Sequence, residues 1–141
     1  DLGIVDNVIR QYPNINILNV GDISTAINQF RLVILDRPDC SNFSNLLVIN
    51  KPFIVFFDKK YHNYSELSQE IFDQMERVGL FHYDTKSAAE FINVNYKNPE
   101  KWWFTEEVQI ARKEYMKIFA NNDKNYVNIW STQILEEYIK N

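Results

Sequence analysis

Short apolar runs that do not alternate with polar residues dominate the first two thirds of the chain. Residues 31–35 and 53–57 are nearly all apolar, and residues 80–83 form a shorter run. A strand that is apolar on both sides is buried on both faces, which is typical of a parallel sheet covered by helices. Residues 15–20 read as a further strand, so the pattern predicts a short parallel sheet of about four strands.

Helical stretches separate these runs. Ser41 or Asn42 opens a helix that must stop before Pro52, because proline cannot continue it. A later helix with a period near 3.6 ends at Gly79, and residues 87–90 form a capping box that opens the next one. Helices between successive strands predict an α/β fold, a Rossmann-like three-layer domain with C-terminal helices.

The last third of the chain reads as helical. Pro99 suits a helix start, and Thr105 followed by two glutamates is a further N-terminal signal. We interpret the aromatic residues 102–104 as joining these helices to the sheet layer, in preference to a stacking platform for a sugar or base. Residues 126–140 predict a terminal helix.

This pattern predicts a Rossmann-like βα layer over residues 1–97 and a helical extension, packed on the same domain, over residues 98–141. The chain begins at Asp1 within a helical pattern. We therefore expect an excised carboxy-terminal half of a two-domain protein.

Composition narrows the function. Fifteen basic and 19 acidic residues give a formal charge of −4 without a basic cluster, which disfavours nucleic acid as a partner. No apolar run reaches the roughly 20 residues of a membrane span, although peripheral membrane association is compatible with the sequence. Cys40 is the single cysteine, which fits a reducing, cytoplasmic compartment. Three glycines exclude a glycine-rich phosphate loop, and we expect no metal and no cofactor.

Ligands of open parallel sheets bind outside the carboxyl ends of the strands. The turn formed by residues 36–42 leaves a buried strand and enters a helix, whose N-terminal N–H groups suit a phosphate. Arg37 could add a bidentate contact, and Ser41 or Asn42 a hydroxyl or amide contact. The alternative is that Asp36 and its neighbours only form the turn and cap the helix.

A second candidate segment spans residues 58–64. It contains Asp58, two lysines, two tyrosines and His62. His62 has the chemistry of an acid or base near neutral pH, but we favour a solvated side chain. His82 lies in a short strand and reads as a packed histidine, and neither histidine forms a recognisable nucleophile motif with Cys40.

The residues resemble the carboxy-terminal domain of a family of bacterial surface-carbohydrate-biosynthesis transferases. The resemblance covers residues 15–140. Its first part runs from Arg31 to Asp58 and contains Asp36-x-Pro38 and Asn50-Lys-Pro52. Its second part is a tail that contains Trp102-Trp103, Glu107-Val108-Gln109-x-Ala111-Arg112, Phe119-Ala120 and Trp130.

The resemblance implies a GT-B architecture, in which two Rossmann-like domains face each other and the carboxy-terminal one holds most of a nucleotide-activated sugar donor. The implied donor-binding residues are Gly21, Asp22, Asp36, Arg37, Ser41, Asn42, Asn45 and Asp58. Asn45 stands where the family pattern has a glutamate suited to ribose hydroxyls, which predicts weaker contact there. The terminal helix would pack back across the domain junction.

The implied function is donor binding in a glycosyltransferase-like enzyme. The missing N-terminal domain would supply the catalytic base, which this sequence does not identify, so the chain alone should bind without turnover. The alternative is a non-catalytic, flavodoxin-like ligand-binding or protein-interaction module; a receiver domain is disfavoured because only Asp22 follows the first predicted strand. A third hypothesis is a structural half that has lost its ligand.

Overall fold

A computed structural model describes residues 3–18, 23–61 and 66–119, together with residues 131, 132, 135 and 139. The chain divides into two compact units, residues 1–30 and residues 31–141. The first unit contains helices α1 (Ile4–Gln11) and α2 (Ile23–Ile27). The predicted division at residue 97 remains a prediction.

The predicted strand over residues 15–20 is wrong where the structure describes it, because residues 15–18 are irregular. Ile15 donates its backbone N–H to the carbonyl of Tyr12 at 3.0 Å, which closes a local turn. Ile15, Ile17 and Leu18 are all exposed. The period of two in this segment therefore does not correspond to a half-buried strand. Residues 19–22, which include Gly21 and Asp22, lie outside the described residues.

The second unit has the expected alternation of strands and helices. Its elements are β1 (Val33–Leu35), α3 (Ser41–Val48), β2 (Phe53–Phe56), a 3₁₀ turn (Lys59–Tyr61), α4 (Glu66–Arg77), β3 (Phe81–His82), α5 (Thr85–Asn95), α6 (Pro99–Trp103) and α7 (Glu106–Phe119). The strands form a parallel sheet in the order β1-β2-β3. The predicted α/β fold with a parallel sheet is confirmed; the described residues form three strands, where four were predicted.

The helices cover the sheet from both faces. Neighbouring residues of a strand point to opposite faces, and Phe81 and His82 show which helices lie on each. The Phe81 ring contacts Phe43 of α3 and Phe72 of α4, whereas the His82 ring contacts Phe91 of α5. Helices α3 and α4 therefore share one face, and α5 lies on the other.

Aromatic side chains fill the face that α3 and α4 cover. Phe43, which is 1% exposed, has ring centroids of Phe53, Phe81 and Tyr115 within 4.9–5.7 Å. Tyr115 brings α7 into this cluster. Burial of a side chain of this size stabilises a fold by about 1.5–3 kcal/mol, so the cluster fastens both α3 and α7 to the sheet.

The carboxyl end of α3 is held by side chains from α6 and α7. Asn50 follows the helix with a φ of 55°, a left-handed conformation that asparagine tolerates. Trp103 donates its indole N–H to the backbone and side-chain oxygens of Asn50 at 3.1 and 2.8 Å. Arg112 donates to the carbonyls of Leu47 and Val48 at 2.6 and 3.3 Å. These bonds satisfy carbonyls that a helix end leaves open. We call Trp103 and Arg112, together with the oxygens of Leu47, Val48 and Asn50 that they bind, the α3 clamp.

The carboxyl end of α4 is held in the same way. Trp102 donates its indole N–H to the carbonyl of Val78 at 2.8 Å. Gly79 follows with a φ of 76°, and a side chain there would meet the Phe91 ring at 2.5 Å, so glycine suits the turn. These contacts confirm that both tryptophans join the C-terminal helices to the sheet layer. Phe104, in contrast, is exposed.

Two predicted caps differ from the structure. The helix predicted to open at residues 87–90 begins at Thr85, since Asp84 accepts a hydrogen bond from the Ser87 backbone at 2.8 Å and serves as the cap. The Thr105 hydroxyl donates back to the carbonyl of Trp102 at 2.8 Å. The predicted terminal helix over residues 126–140 falls almost wholly outside the described residues.

Replacing the guanidinium in the α3 clamp should destabilise the second unit. We expect Arg112→Met to lower the free energy of unfolding by about 1.5–3 kcal/mol, because the carbonyls of Leu47 and Val48 lose hydrogen bonds from a charged donor. Urea denaturation followed by tryptophan fluorescence measures this change. Lys113→Met removes a charge from the exposed neighbouring residue and should change the free energy by less than about 0.5 kcal/mol. Equal effects of the two variants would contradict the role of the clamp.

Candidate ligand-binding site

The three strands end at one edge of the sheet because they are parallel. Leu35 of β1 pairs with Val55 of β2, and Phe56 of β2 pairs with His82 of β3. The segments that follow the three strands, which begin at Asp36, Phe57 and Tyr83, therefore lie side by side. We call this end of the sheet the carboxyl edge. The opposite end is the amino edge, where α3 and α4 end and where Trp102 and the α3 clamp bind them.

The turn over residues 36–42 presents polar side chains to solvent at the carboxyl edge. Asp36, Arg37 and Asp39 are exposed, and Pro38 is buried beneath them. The thiol of Cys40 donates to the carbonyl of Arg37 at 3.6 Å, which closes the turn just before α3. The turn is thus open to solvent and offers one guanidinium between two carboxylates.

The first turn of α3 has no side-chain cap. Cys40 occupies the capping position and makes no side-chain hydrogen bond to the helix, and no acidic residue lies in the first turn. By comparison, Asp84 caps α5 and Asn98 caps α6. Ser41 is exposed and Asn42 is half-buried. The positive end of this helix can therefore attract an anion through its backbone N–H groups.

Asn45 lies one helical turn beyond Ser41. Residues at i and i+4 share one face of a helix, and both side chains are exposed. The structure therefore places Ser41 and Asn45 on the same solvent-facing side of α3. An amide at this position can donate or accept a hydrogen bond but adds no charge.

Asp58 follows β2 at the carboxyl edge, beside the turn after β1. Its carboxylate accepts a hydrogen bond from the Lys60 backbone at 3.1 Å and forms an ion pair with the Lys60 ammonium at 2.6 Å. Both side chains are largely exposed. Asp58 therefore shapes the turn after β2 while remaining open to solvent.

Lys59, Asp73 and Tyr83 form a group that the sequence analysis did not identify. The Lys59 ammonium lies 3.6 Å from a carboxylate oxygen of Asp73 and 4.7 Å from the centre of the Tyr83 ring. Gln69 donates a hydrogen bond to the same carboxylate oxygen, and Phe57 packs against Tyr83 at 5.2 Å. One part of this group could have been found in the sequence. Side chains alternate between the two faces of a strand, so Tyr83, just beyond β3, lies on the same face as Phe81.

His82 is a packed histidine, as predicted. Its Nδ1 accepts from the Ser87 hydroxyl at 2.8 Å, and its Nε2–H donates to the carbonyl of Gly79 at 3.1 Å. A carbonyl can only accept, so the Gly79 partner assigns the proton of the neutral ring to Nε2. Burial lowers the pKa of His82 below its ordinary value of 6.5, although the Gly79 carbonyl and the carboxylates of Asp84 and Glu76 act in the opposite direction.

Gly21, Asp22 and His62 lie outside the described residues, so the structure does not test them. Within the described ranges, no cluster of three or more histidine, cysteine or acidic side chains is suited to a metal ion. No helix of that same part of the chain has the length and apolar character needed to cross a membrane.

The parallel sheet, with its polar turns gathered at the carboxyl edge, defines an α/β domain of the Rossmann-like class. A family model described as LIC12162 family transferase matches residues 1–134. The chain belongs to this family, and the expectation of a transferase family is confirmed. No curated protein and no solved structure matches the chain.

The lowered pKa of His82 predicts a loss of stability in mild acid. The unfolded chain takes up a proton near pH 6.5, whereas the folded chain does so only at lower pH. The stabilisation should be complete above pH 6.5 and should be lost as the pH falls from there through the folded pKa. Urea denaturation of the wild type between pH 8 and pH 5 measures this loss.

His82→Gln provides the comparison for this effect. The variant keeps His62, so the titration of that residue cancels in the difference between the two proteins. We expect the free energies of unfolding to converge toward pH 5. Curves that stay parallel over the whole range would show that His82 does not cause the pH dependence.

Proposed function

We propose that this chain is the donor-binding domain of a glycosyltransferase-like enzyme of bacterial surface polysaccharide biosynthesis, with a GT-B arrangement of two domains. A nucleotide-activated sugar would bind at the carboxyl edge, with its diphosphate at the turn between β1 and α3. Membership of a transferase family supports the reaction class. The N-terminal domain of the proposed pair would be the other partner.

The observation that carries the proposal is the uncapped start of α3, beside exposed Arg37. The N–H groups of the first helical turn favour negative charge, and Cys40 leaves them without a side-chain partner. Arg37 can donate two parallel hydrogen bonds to a phosphate. Ser41, Asn42 and Asn45 would then contact the nucleoside, and Asp58 would lie beside the sugar.

The proposed reaction is a displacement at the anomeric carbon of the donor. A hydroxyl oxygen of the acceptor forms a bond to that carbon, and the bond to the diphosphate oxygen breaks with its electron pair. The departing nucleoside diphosphate gains negative charge, which the α3 N-terminus and Arg37 would stabilise. The acceptor proton would pass to a base on the N-terminal domain, so this chain alone should bind donor without turnover.

Calorimetric titration of the chain with nucleoside diphosphates and nucleotide sugars tests the proposal. We expect at least one of them to bind, and Arg37→Gln to weaken that binding about tenfold through loss of a charge-assisted contact. Arg77→Gln is the matched control, because Arg77 ends α4 at the amino edge. A folded sample that binds none of these ligands would count against donor binding. Equal losses in both variants would place the ligand elsewhere.

Asn45 provides a second test of the same site. If Asn45 faces the ribose of the donor, Asn45→Glu should strengthen nucleotide binding several-fold, because a carboxylate accepts hydrogen bonds from hydroxyls more strongly than an amide. Asn95→Glu, on α5, controls for added charge. Weaker binding by Asn45→Glu would indicate that a phosphate, and not a ribose, lies near this position.

One observation favours the alternative of a protein-interaction module. On the face that α5 covers, Ile34 of β1 is 47% exposed, and it lies with Phe56, Ala88 and Ile92 around an apolar depression of about 160 Å³. An apolar surface of this kind can bind another protein. The titration above separates the two functions, since an interaction module has no need of nucleotide affinity.

A further inference from the structure

The turns after β2 and β3 diverge at the carboxyl edge. The chain leaves β2 toward α4 on one face of the sheet and leaves β3 toward α5 on the other, as the contacts of Phe81 and His82 show. In open α/β sheets, ligands bind in the crevice that opens where neighbouring connections turn to opposite faces. The 3₁₀ turn and Tyr83 lie on the two sides of this divergence.

The ammonium group of Lys59 is held in place at this divergence. The ion pair to Asp73, at 3.6 Å, is longer than a hydrogen bond, and the face of the Tyr83 ring attracts the charge as a whole. Neither of these two contacts with described residues is a hydrogen bond, so the ammonium can still donate to a ligand. Phe57 and Gln69 support the ring and the carboxylate in turn.

Lys60 differs from Lys59 in this respect. Its ammonium lies 2.6 Å from Asp58, within hydrogen-bond distance, and is more exposed. Of these two neighbouring lysines, Lys59 is the less exposed, and the contacts that position it use fewer of its N–H donors.

We propose that Lys59, positioned by the Tyr83 ring, forms a second anion-binding subsite, which recognises a carboxylate or phosphate on the transferred group of the donor. This inference rests on the proposed function. The Lys59 ammonium lies over the Tyr83 ring, just beyond β3. β1 and β3 lie two strands apart, roughly 10 Å, which is too far for one phosphate to reach both this ammonium and the start of α3. A diphosphate at α3 and a second anionic group at Lys59 would span this distance, so the substrate class is a donor whose sugar or sugar-like moiety is itself acidic.

Inorganic phosphate is the first probe, with binding followed by amide chemical shifts of the labelled chain. We expect two sets of shifted resonances, one at Ser41 and Asn42 and one at Lys59 and Tyr83. Lys59→Gln should abolish the second set and retain the first. Lys86→Gln is the matched control, because Lys86 is 86% exposed and 3.9 Å from its partner Glu90; it should leave both sets unchanged.

Each other outcome has a defined meaning. Shifts at Ser41 and Asn42 alone overturn the second subsite and leave the proposed function standing. Shifts at Lys59 that persist in Lys59→Gln also overturn it. A folded chain with no shifts at either place overturns the subsite and counts against the proposed function as well.

A matched pair of donors tests the substrate class. The transferred groups of UDP-glucose and UDP-glucuronate differ only in a hydroxymethyl or carboxylate group. We expect the wild type to bind the glucuronate about tenfold more tightly, and Lys59→Gln to remove this preference. Equal affinities in the wild type would overturn the proposal of an acidic transferred group. If neither binds, CDP and GDP donors of the same neutral and acidic types replace them; failure of all these donors overturns the proposed function too.

Discussion

The hydrogen bonds that end α3 determine where the rest of the second unit can lie. A helix leaves its last carbonyls without helical partners, and backbone N–H groups of the following turn reach those of Asn45, Leu46 and Leu47 in α3. Arg112 of α7 donates to the carbonyls of Leu47 and Val48, while Trp103 of α6 holds Asn50, the residue that redirects the chain. Hydrogen bonds from a charged donor contribute about 1.5–3 kcal/mol each, so this end of α3 is held against α6 and α7. Since α3 is eight residues long, about 12 Å at 1.5 Å per residue, holding one end also fixes the direction of the other.

The two edges of the sheet therefore have different roles. Trp102, Trp103, Gln109 and Arg112, which belong to the tail pattern of the resembling family, all donate hydrogen bonds at or near the amino edge. This part of the pattern supports the fold and does not belong to the candidate site. The Asn45 side chain, exposed on α3, takes no part in these bonds, so a substitution there can leave the architecture intact.

Much of the second unit was predictable from the sequence, because its signals are local. Runs of apolar residues predicted the three strands, and Pro52 and Gly79 indicated where helices end. Residues 15–18 show the limit of such patterns, since a period of two also occurs in an irregular segment. The cap of α5 could not be predicted from the capping box alone, because the hydroxyl of Ser87 is taken by His82 of β3.

The unpredicted parts of the site and fold depend on partners distant in sequence. Arg112 lies on the helix stripe with apolar residues, yet its acceptors are 64 and 65 residues away. Similarly, Lys59 is held by Tyr83 and Asp73 only because β2 and β3 pair in one particular register. The sequence could place each of these residues at an element end, but it could not show which of them meet.

Electrostatics at the carboxyl edge favours recognition at short range over attraction from a distance. The chain carries a formal charge of −4, and Arg37 lies between Asp36 and Asp39, so an approaching anion meets no broad positive field. A helix N-terminus supplies only about half a unit charge, whose effect falls off within one turn. Under the proposed function, a diphosphate gains affinity only at direct contact with Arg37 and the N–H groups of α3. Binding would then depend on the direction of α3, and hence on the clamp at its far end.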